Sequence, residues 1–144
     1  MANLTKSAKT VKKKLNILLN VILDTNFLVD LFRFRVGFEE IEDVAGTPCN
    51  FLMVRQSIVE LKRMKNKYAK VGLGFIDAGK IKVVSAAGRT ADDAITALLK
   101  NARQKKEIEK FAVATNDAKL RKKLKALGVK VIYLRARKHL EIIN

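Results

Sequence analysis

The sequence predicts an α/β fold, a five-stranded parallel sheet covered by helices on both faces in three α/β/α layers. Three observations lead there. Short apolar runs alternate with helical patterns along the chain, the first run is dense in Ile, Leu and Val as a strand buried on both faces should be, and each connection is long enough for a right-handed crossover. The 144 residues match one ordinary domain, expected over 15–144 behind a basic leader at 1–14. With 49% hydrophobic residues, 7 Gly and 1 Pro, the chain is no disordered basic tail.

The elements follow in order. Ile17 to Leu23 is the first strand, and a helix runs from about Thr25 to Phe34, with a second helical segment from about Phe38 to Val44. Gly46, Thr47 and Pro48 punctuate before a strand at Phe51 to Val54. Ser57 to about Lys70 reads as one amphipathic helix with Ile58, Leu61 and Met64 on a face. A looser segment with Gly72, Gly74 and Gly79 precedes the third strand, Ile81 to Val84. Ala91 to about Arg103 is helical, and Phe111 to Ala114 is the fourth strand. In the helix Ala118 to Leu127, Leu120, Leu124 and Leu127 share one stripe, and Gly128 supplies the stop. Val129 to Leu134 is the fifth strand.

Charge and scarce residues narrow the function. Lys+Arg total 30 against 14 Asp+Glu, a net +16 that points to a polyanion, RNA or DNA, as partner. One cysteine, Cys49, excludes a disulfide framework, and with the single His139 it excludes the usual Cys/His zinc sites. Histidine-based catalysis would rest on His139 alone, which leaves carboxylates, a hard metal ion, hydroxyls and Lys/Arg as tools on a phosphate polymer. The first 14 residues carry five lysines ahead of the apolar run Leu15 to Leu23. That run contains Asn16 and Asn20, ends in Asp24, lacks a small-residue cleavage site and is far shorter than the roughly 20 residues of a membrane span, so a soluble, cytoplasmic protein is expected.

In a parallel sheet the functional crevice lies beyond the carboxyl ends of the strands. Asp24 follows the first strand, Glu60 lies early in the helix after the second, Asp92 and Asp93 open the helix after the third, and Asp117 follows the fourth. Carboxylates gathered on one edge repel one another unless a cation such as Mg²⁺ or Mn²⁺ is present. Each acid also fits a helix cap, since every such helix starts at this edge, and Ser57-x-x-Glu60 and Thr90-x-x-Asp93 both match the capping box.

The segments Val21-Ile-Leu-Asp24-Thr25-Asn26, Ser57-Ile-Val-Glu60-Leu, Ala91-Asp92-Asp93-Ala94-Ile95 and Ala114-Thr115-Asn116-Asp117 occur in this order, and together they resemble the PIN-domain nucleases. The likeness runs from the first strand to about Leu140. It is closer to archaeal relatives of the eukaryotic PIN nuclease that cleaves small-subunit pre-rRNA, on the Asp-Thr-Asn-Phe opening, Ala-Asp-Asp, Ala-Thr-Asn-Asp and the ending at Val131-Ile-Tyr-Leu134. The resemblance implies a Rossmann-like sheet and a metal-dependent endoribonuclease with Asp24, Glu60, Asp93 and Asp117 as an acidic quartet around Mg²⁺ or Mn²⁺. It implies Asp92 as a helper or substitute for the third acid, and Asn26 and Thr115 as hydrogen-bonding supports of the first and last. Metal-activated water would then cleave RNA, leaving a 5′-phosphate and a 3′-hydroxyl.

The basic residues are sorted along the chain. Residues 100–138 hold 14 Lys+Arg against three acids, whereas 24–54 hold two against six. Lys119, Lys122, Lys123 and Lys125 on the last helix, with Arg135, Arg137 and Lys138 after the fifth strand, are the expected RNA-binding surface, though a solvated helix face reads the same way. In Phe32-Arg33-Phe34-Arg35 the phenylalanines are expected to pack, with base stacking as the alternative. The expected partner is RNA, in particular pre-rRNA, with a homodimer and ribosome-assembly factors as further candidates. Two other functions fit: a VapC-type toxin ribonuclease, and a catalytically inert RNA-binding assembly factor whose acids are only caps.

Overall fold

The computed structural model describes residues 18–144; Ile17 and the basic leader lie outside the described residues. The chain runs β1 (Leu19–Leu23), α1 (Thr25–Arg33), α2 (Phe38–Ala45), β2 (Cys49–Val54), α3 (Arg55–Met64), α4 (Lys67–Asp77), β3 (Lys82–Val84), α5 (Ala91–Gln104), a 3-10 turn (Ile108–Lys110), β4 (Phe111–Ala114), α6 (Ala118–Leu127), β5 (Lys130–Arg135) and β6 (His139–Ile143). The strands form one sheet in the order β3-β2-β1-β4-β5-β6.

The first five strands are parallel and β6 is antiparallel to β5, so the sheet is six-stranded and mixed rather than five-stranded and parallel. The extra strand depends on a tight turn after Arg135, in which Ala136 and Arg137 both take left-handed φ values of 54° and 60°. Such turns are ordinarily announced by Asn-Gly or Asp-Gly. Here Ala-Arg occupies the position, and the hairpin register Arg135↔His139 holds it closed.

A second difference concerns the helix expected over Ser57 to Lys70, which is two helices. Lys65 turns left-handed at φ 50° and ends α3, and the Asn66 side chain accepts a 2.8 Å hydrogen bond from the Ala69 amide to start α4. Helix α4 takes in the stretch expected to be loose. At Gly72 a Cβ would stand 2.9 Å from Leu28 Cδ2, so the glycine lets α4 lie close against α1.

Burial confirms three layers. Val21 and Leu23 of β1 join one core with Phe27, Leu28, Leu31 and Ile41, while Ile22 between them joins the other with Ile95, Leu99, Leu120 and Leu124. That alternation within a wholly buried strand is what a sheet covered on both sides produces. Helix α6 stops where expected, with Gly128 left-handed at φ 81°. Among the described residues no helix is long and apolar enough to cross a membrane.

Strand β1 lies between β2 and β4, and the chain winds outward from it in both directions. The reversal of winding opens a crevice at the carboxyl ends of β1 and β4, where Leu23 pairs with Ala114. The Asp24 amide donates to the Ala114 carbonyl at 2.9 Å, and the Thr115 amide to that of Ile132 at 2.9 Å, carrying the ladder one residue past each strand.

Candidate active site

Asp24 stands in this crevice, 8% exposed and held in extended backbone as the N-cap of α1. Its Oδ1 accepts from the Thr25 amide at 3.0 Å and its Oδ2 from the Thr115 hydroxyl at 2.7 Å. The same Thr115 hydroxyl accepts from the Asp117 amide at 3.1 Å, so one wholly buried side chain joins the acids that follow β1 and β4. On the other flank the Thr25 hydroxyl donates to Glu60 Oε1 at 2.6 Å. Glu60, Asp24 and Asp117 are thereby strung on two threonines. Each Asp24 oxygen spends one lone pair on these bonds and keeps another for a ligand.

The third acid is a choice between neighbours on α5, which point about 100° apart. Asp92 shares a stripe with the buried Ile95 and Leu99, whereas Asp93 is exposed and lies on the stripe of Thr96, Ala97 and Lys100. Burial raises the Asp24 carboxyl above its ordinary range; the Thr115 hydroxyl and Thr25 amide oppose the rise, and the Asp92 and Glu60 charges add to it. Asp92 is also raised, first by burial, then by Asp117, Glu60 and adjacent Asp93, with Lys123 pulling it down. The Asp24 carboxyl thus feels Asp92 and Glu60, and the Asp92 carboxyl feels Asp117, Glu60 and Asp93. Asp93, named in the quartet on resemblance, is the more exposed of the two. The loop leading into α5 is fastened by Gln56, whose Nε2 donates to the Ala86 and Gly88 carbonyls at 3.0 and 2.7 Å.

The competing cap reading divides. Asp24 and Asp117 are caps, the latter accepting from the Lys119 and Leu120 amides at 2.9 and 3.4 Å. Thr90 caps α5 through the Asp93 amide at 3.1 Å. Glu60 does not cap: α3 starts at Arg55, two residues before the expected box, and Ser57 is buried inside its first turn without a partner among the described residues. Glu60 is therefore free to turn toward Thr25.

Among the supports, Thr115 contacts both acids, while Asn26 is exposed and makes no hydrogen bond to Asp24 among the described residues. Thr25 stands in its place. Sequence reasoning also passed over Asn116, which accepts from the Leu134 amide at 2.8 Å and donates to Asp30 Oδ2 at 3.1 Å, pinning the loop before Asp117 to β5 and α1. The signal for both was their position beside an acid within the quoted motifs.

Lys119, Lys122, Lys123 and Lys125 are exposed on α6 beyond the acids. Arg135 pairs with Glu141 at 3.0 Å, Arg137 lies over the Phe34 ring at 5.6 Å, and Lys138 is exposed in the hairpin turn. Phe32 packs against Phe75 and Phe38 with centroids 5.0 and 6.2 Å apart, as expected for packing.

The donor set suits a hard divalent cation: oxygens only, two of the carboxylates raised by burial and repulsion that a cation relieves. Among the described residues no three acidic, His or Cys side chains converge closely enough to chelate one ion together.

The fold and site define an α/β domain carrying a carboxylate cluster at the switch point of its sheet. The chain belongs to the PIN-like domain family, whose model, described as "PIN like domain", matches residues 21–137. It is similar to Ribonuclease VapC4 of Methanocaldococcus jannaschii, with 31% identity over 133 residues covering 86% of this chain and 96% of that protein. Among solved structures it resembles the PIN domain endonuclease Utp24, with a TM-score of 0.70 and 20% identity over 85% of this chain and 90% of that one, a likeness of fold.

Proposed function

We propose that this protein is a metal-dependent endoribonuclease, with Asp24, Glu60, Asp92 and Asp117 as its working carboxylates. The observation that carries the reading is the pair of threonines beside Asp24: Thr25 bonds the Asp24 carboxylate through its amide and Glu60 through its hydroxyl, and the Thr115 hydroxyl bonds the Asp24 carboxylate and the Asp117 backbone amide. Helix caps need no such cross-links between elements 35 and 91 residues apart. A Mg²⁺ or Mn²⁺ ion at these acids would supply Lewis acidity to the phosphate and a water acidic enough to attack at neutral pH. Asp24, fixed by Thr115 and Thr25, would hold that ion at a set place over the switch point. Glu60, oriented by the Thr25 hydroxyl, and half-buried Asp92 would orient the attacking water, and Asp117 at the head of α6 would close the opposite side. Lys119, Lys122, Lys123 and Lys125, with Arg137 and Lys138, would hold the phosphates on either side of the cleaved bond.

The motif resemblance supports pre-rRNA as the substrate, and the likeness to the Utp24 endonuclease is one of fold. The identity to Ribonuclease VapC4 supports a second reading, a toxin-type ribonuclease. Incubation of end-labelled precursor rRNA and of tRNA with the protein and Mn²⁺ separates them. Cleavage of the precursor at discrete positions, with 5′-phosphate and 3′-hydroxyl ends, is the expected result; cleavage of tRNA with growth arrest on expression would favour the toxin. Intact RNA under conditions of tight binding would overturn both.

A further inference from the structure

Beside the acids, a groove of about 540 Å³ runs between α5 and α6. One wall is the stripe Asp93, Thr96, Ala97 and Lys100, and the other presents Lys123 and Leu127. The spacings i, i+3, i+4, i+7 on α5 and i, i+4 on α6 put these residues in line down each helix. Asp93 adjoins Asp92, so the groove opens at the acid edge, and Lys100 lies two turns further, about 10 Å along the axis. Its size falls in the range of small-ligand sites. The groove presents a methyl-rich floor at Ala97, Ala126 and Leu127, the Thr96 side chain, one exposed carboxylate, and one lysine from each wall. Neither lysine forms a salt bridge among the described residues.

We infer that this groove is a subsite for one nucleotide of single-stranded RNA next to the cleaved bond, its phosphate between Lys100 and Lys123 and its base against Ala97, Leu127 and the Asp93 carboxylate. The inference rests on the endoribonuclease reading and names how that substrate is held. The two ammonium groups complement a phosphate, and the small apolar floor accepts the flat face of a base. Unstacked RNA bases are read on their Watson–Crick edges. The Asp93 carboxylate accepts hydrogen bonds and donates none, so it selects bases with donors on that edge. Guanine offers two adjacent donors, N1–H and its 2-amino group, against the two oxygens. Uracil sets two carbonyls beside its single N–H and is repelled. The groove therefore favours guanine over uracil.

The test uses the full chain and short single-stranded RNAs that differ only in one base, guanine or uracil. Binding is followed by fluorescence anisotropy in EDTA across a salt series, and cleavage is followed with Mn²⁺. Lys100→Ala with Lys123→Ala should flatten the slope of log affinity against log salt by roughly 1.4, about 0.7 per ammonium on a single strand. Asp93→Asn should collapse a guanine-over-uracil preference of about tenfold, the size expected of a two-point base contact. Variants that keep the wild-type circular dichroism while leaving both slope and preference unchanged overturn the proposal. If the protein cleaves RNA and these variants behave as wild type, the groove fails and the nuclease reading stands. If slope and preference shift in EDTA and no RNA is cut, the nuclease reading fails and the groove stands.

Discussion

Thr115→Val removes one hydroxyl and almost no volume, and the structure sets what that costs. The lost bond to Asp24 Oδ2 is 2.7 Å long, wholly buried on the threonine side and directed at an ionised group, the class worth about 1.5–3 kcal/mol. The second lost bond, 3.1 Å from the Asp117 amide, lies at the exposed head of α6, where water replaces much of it, so it adds at most about 1 kcal/mol. The sum is about 2–4 kcal/mol, or a fall in Tm of roughly 6–12 °C for a chain of this size. The cost depends on pH. The hydroxyl opposes the rise of the Asp24 pKa, so its removal raises that pKa further and makes ionised Asp24 still more unfavourable. A raised folded-state pKa contributes stability that is full below the unfolded value of about 3.8 and is lost as pH climbs through the folded value. The deficit of Thr115→Val should therefore be largest near pH 7 and shrink towards pH 4. Thermal unfolding by circular dichroism in EDTA at both pH values measures it. An equal fall in Tm at pH 4 and pH 7 would show that the hydroxyl does not serve ionised Asp24.

Three other perturbations probe the same site. Asp24→Asn should raise Tm in EDTA at pH 7, because it removes a charge disfavoured by burial and by Asp92 and Glu60, while abolishing cleavage and sparing RNA binding; a lower Tm, or lost binding, contradicts the assigned role. Mg²⁺ or Mn²⁺ at a concentration a hundred times its Kd at pH 7 should stabilise the protein by about 2.7 kcal/mol at that pH, and the same concentration should stabilise it less at lower pH, where protons compete for the carboxylates. Asp92→Asn should remove most of that shift and Asp93→Asn little of it, and the reverse order in calorimetry would restore Asp93 as the third acid. Lys122, Lys123 and Lys125 changed together to Ala should weaken RNA binding most at low salt and flatten the salt slope by about 2, whereas an unchanged slope places the RNA elsewhere.

Much of this arrangement is readable along the chain. Buried strands announce themselves by apolar density, as Val21, Ile22 and Leu23 do, and α6 by its leucine stripe and Gly128. All strands of a parallel sheet end at one edge, so Asp24, Glu60, Asp92, Asp93 and Asp117 fall there on the sequence alone, while the order of the strands came from the tertiary structure. The hairpin that adds β6 was hidden because Ala136 and Arg137 adopt left-handed backbone that neither residue prefers. Lys65 hid the break between α3 and α4 in the same way, although Asn66 marked the new start. The glycines of α4 read as a loop because the reason for Gly72 is Leu28, 44 positions earlier in the chain.

The sequence by itself settled the residue types and their edge: carboxylates with hydroxyl neighbours beyond the strands, and too little His or Cys for other chemistry. Which acids meet was left to packing. Asp92 and Asp93 are equivalent as a string, and they part only because Ile95 and Leu99 fix the rotation of α5 against the sheet. Thr25 is unmarked in the sequence and Thr115 is singled out there only by the motif resemblance; their bonds form because α3 and β4 bring Glu60 and Asp24 within 2.6 and 2.7 Å of their hydroxyls. A hydrogen bond is a matter of tenths of an ångström, and distances of that kind belong to the assembled fold and not to any local stretch of chain.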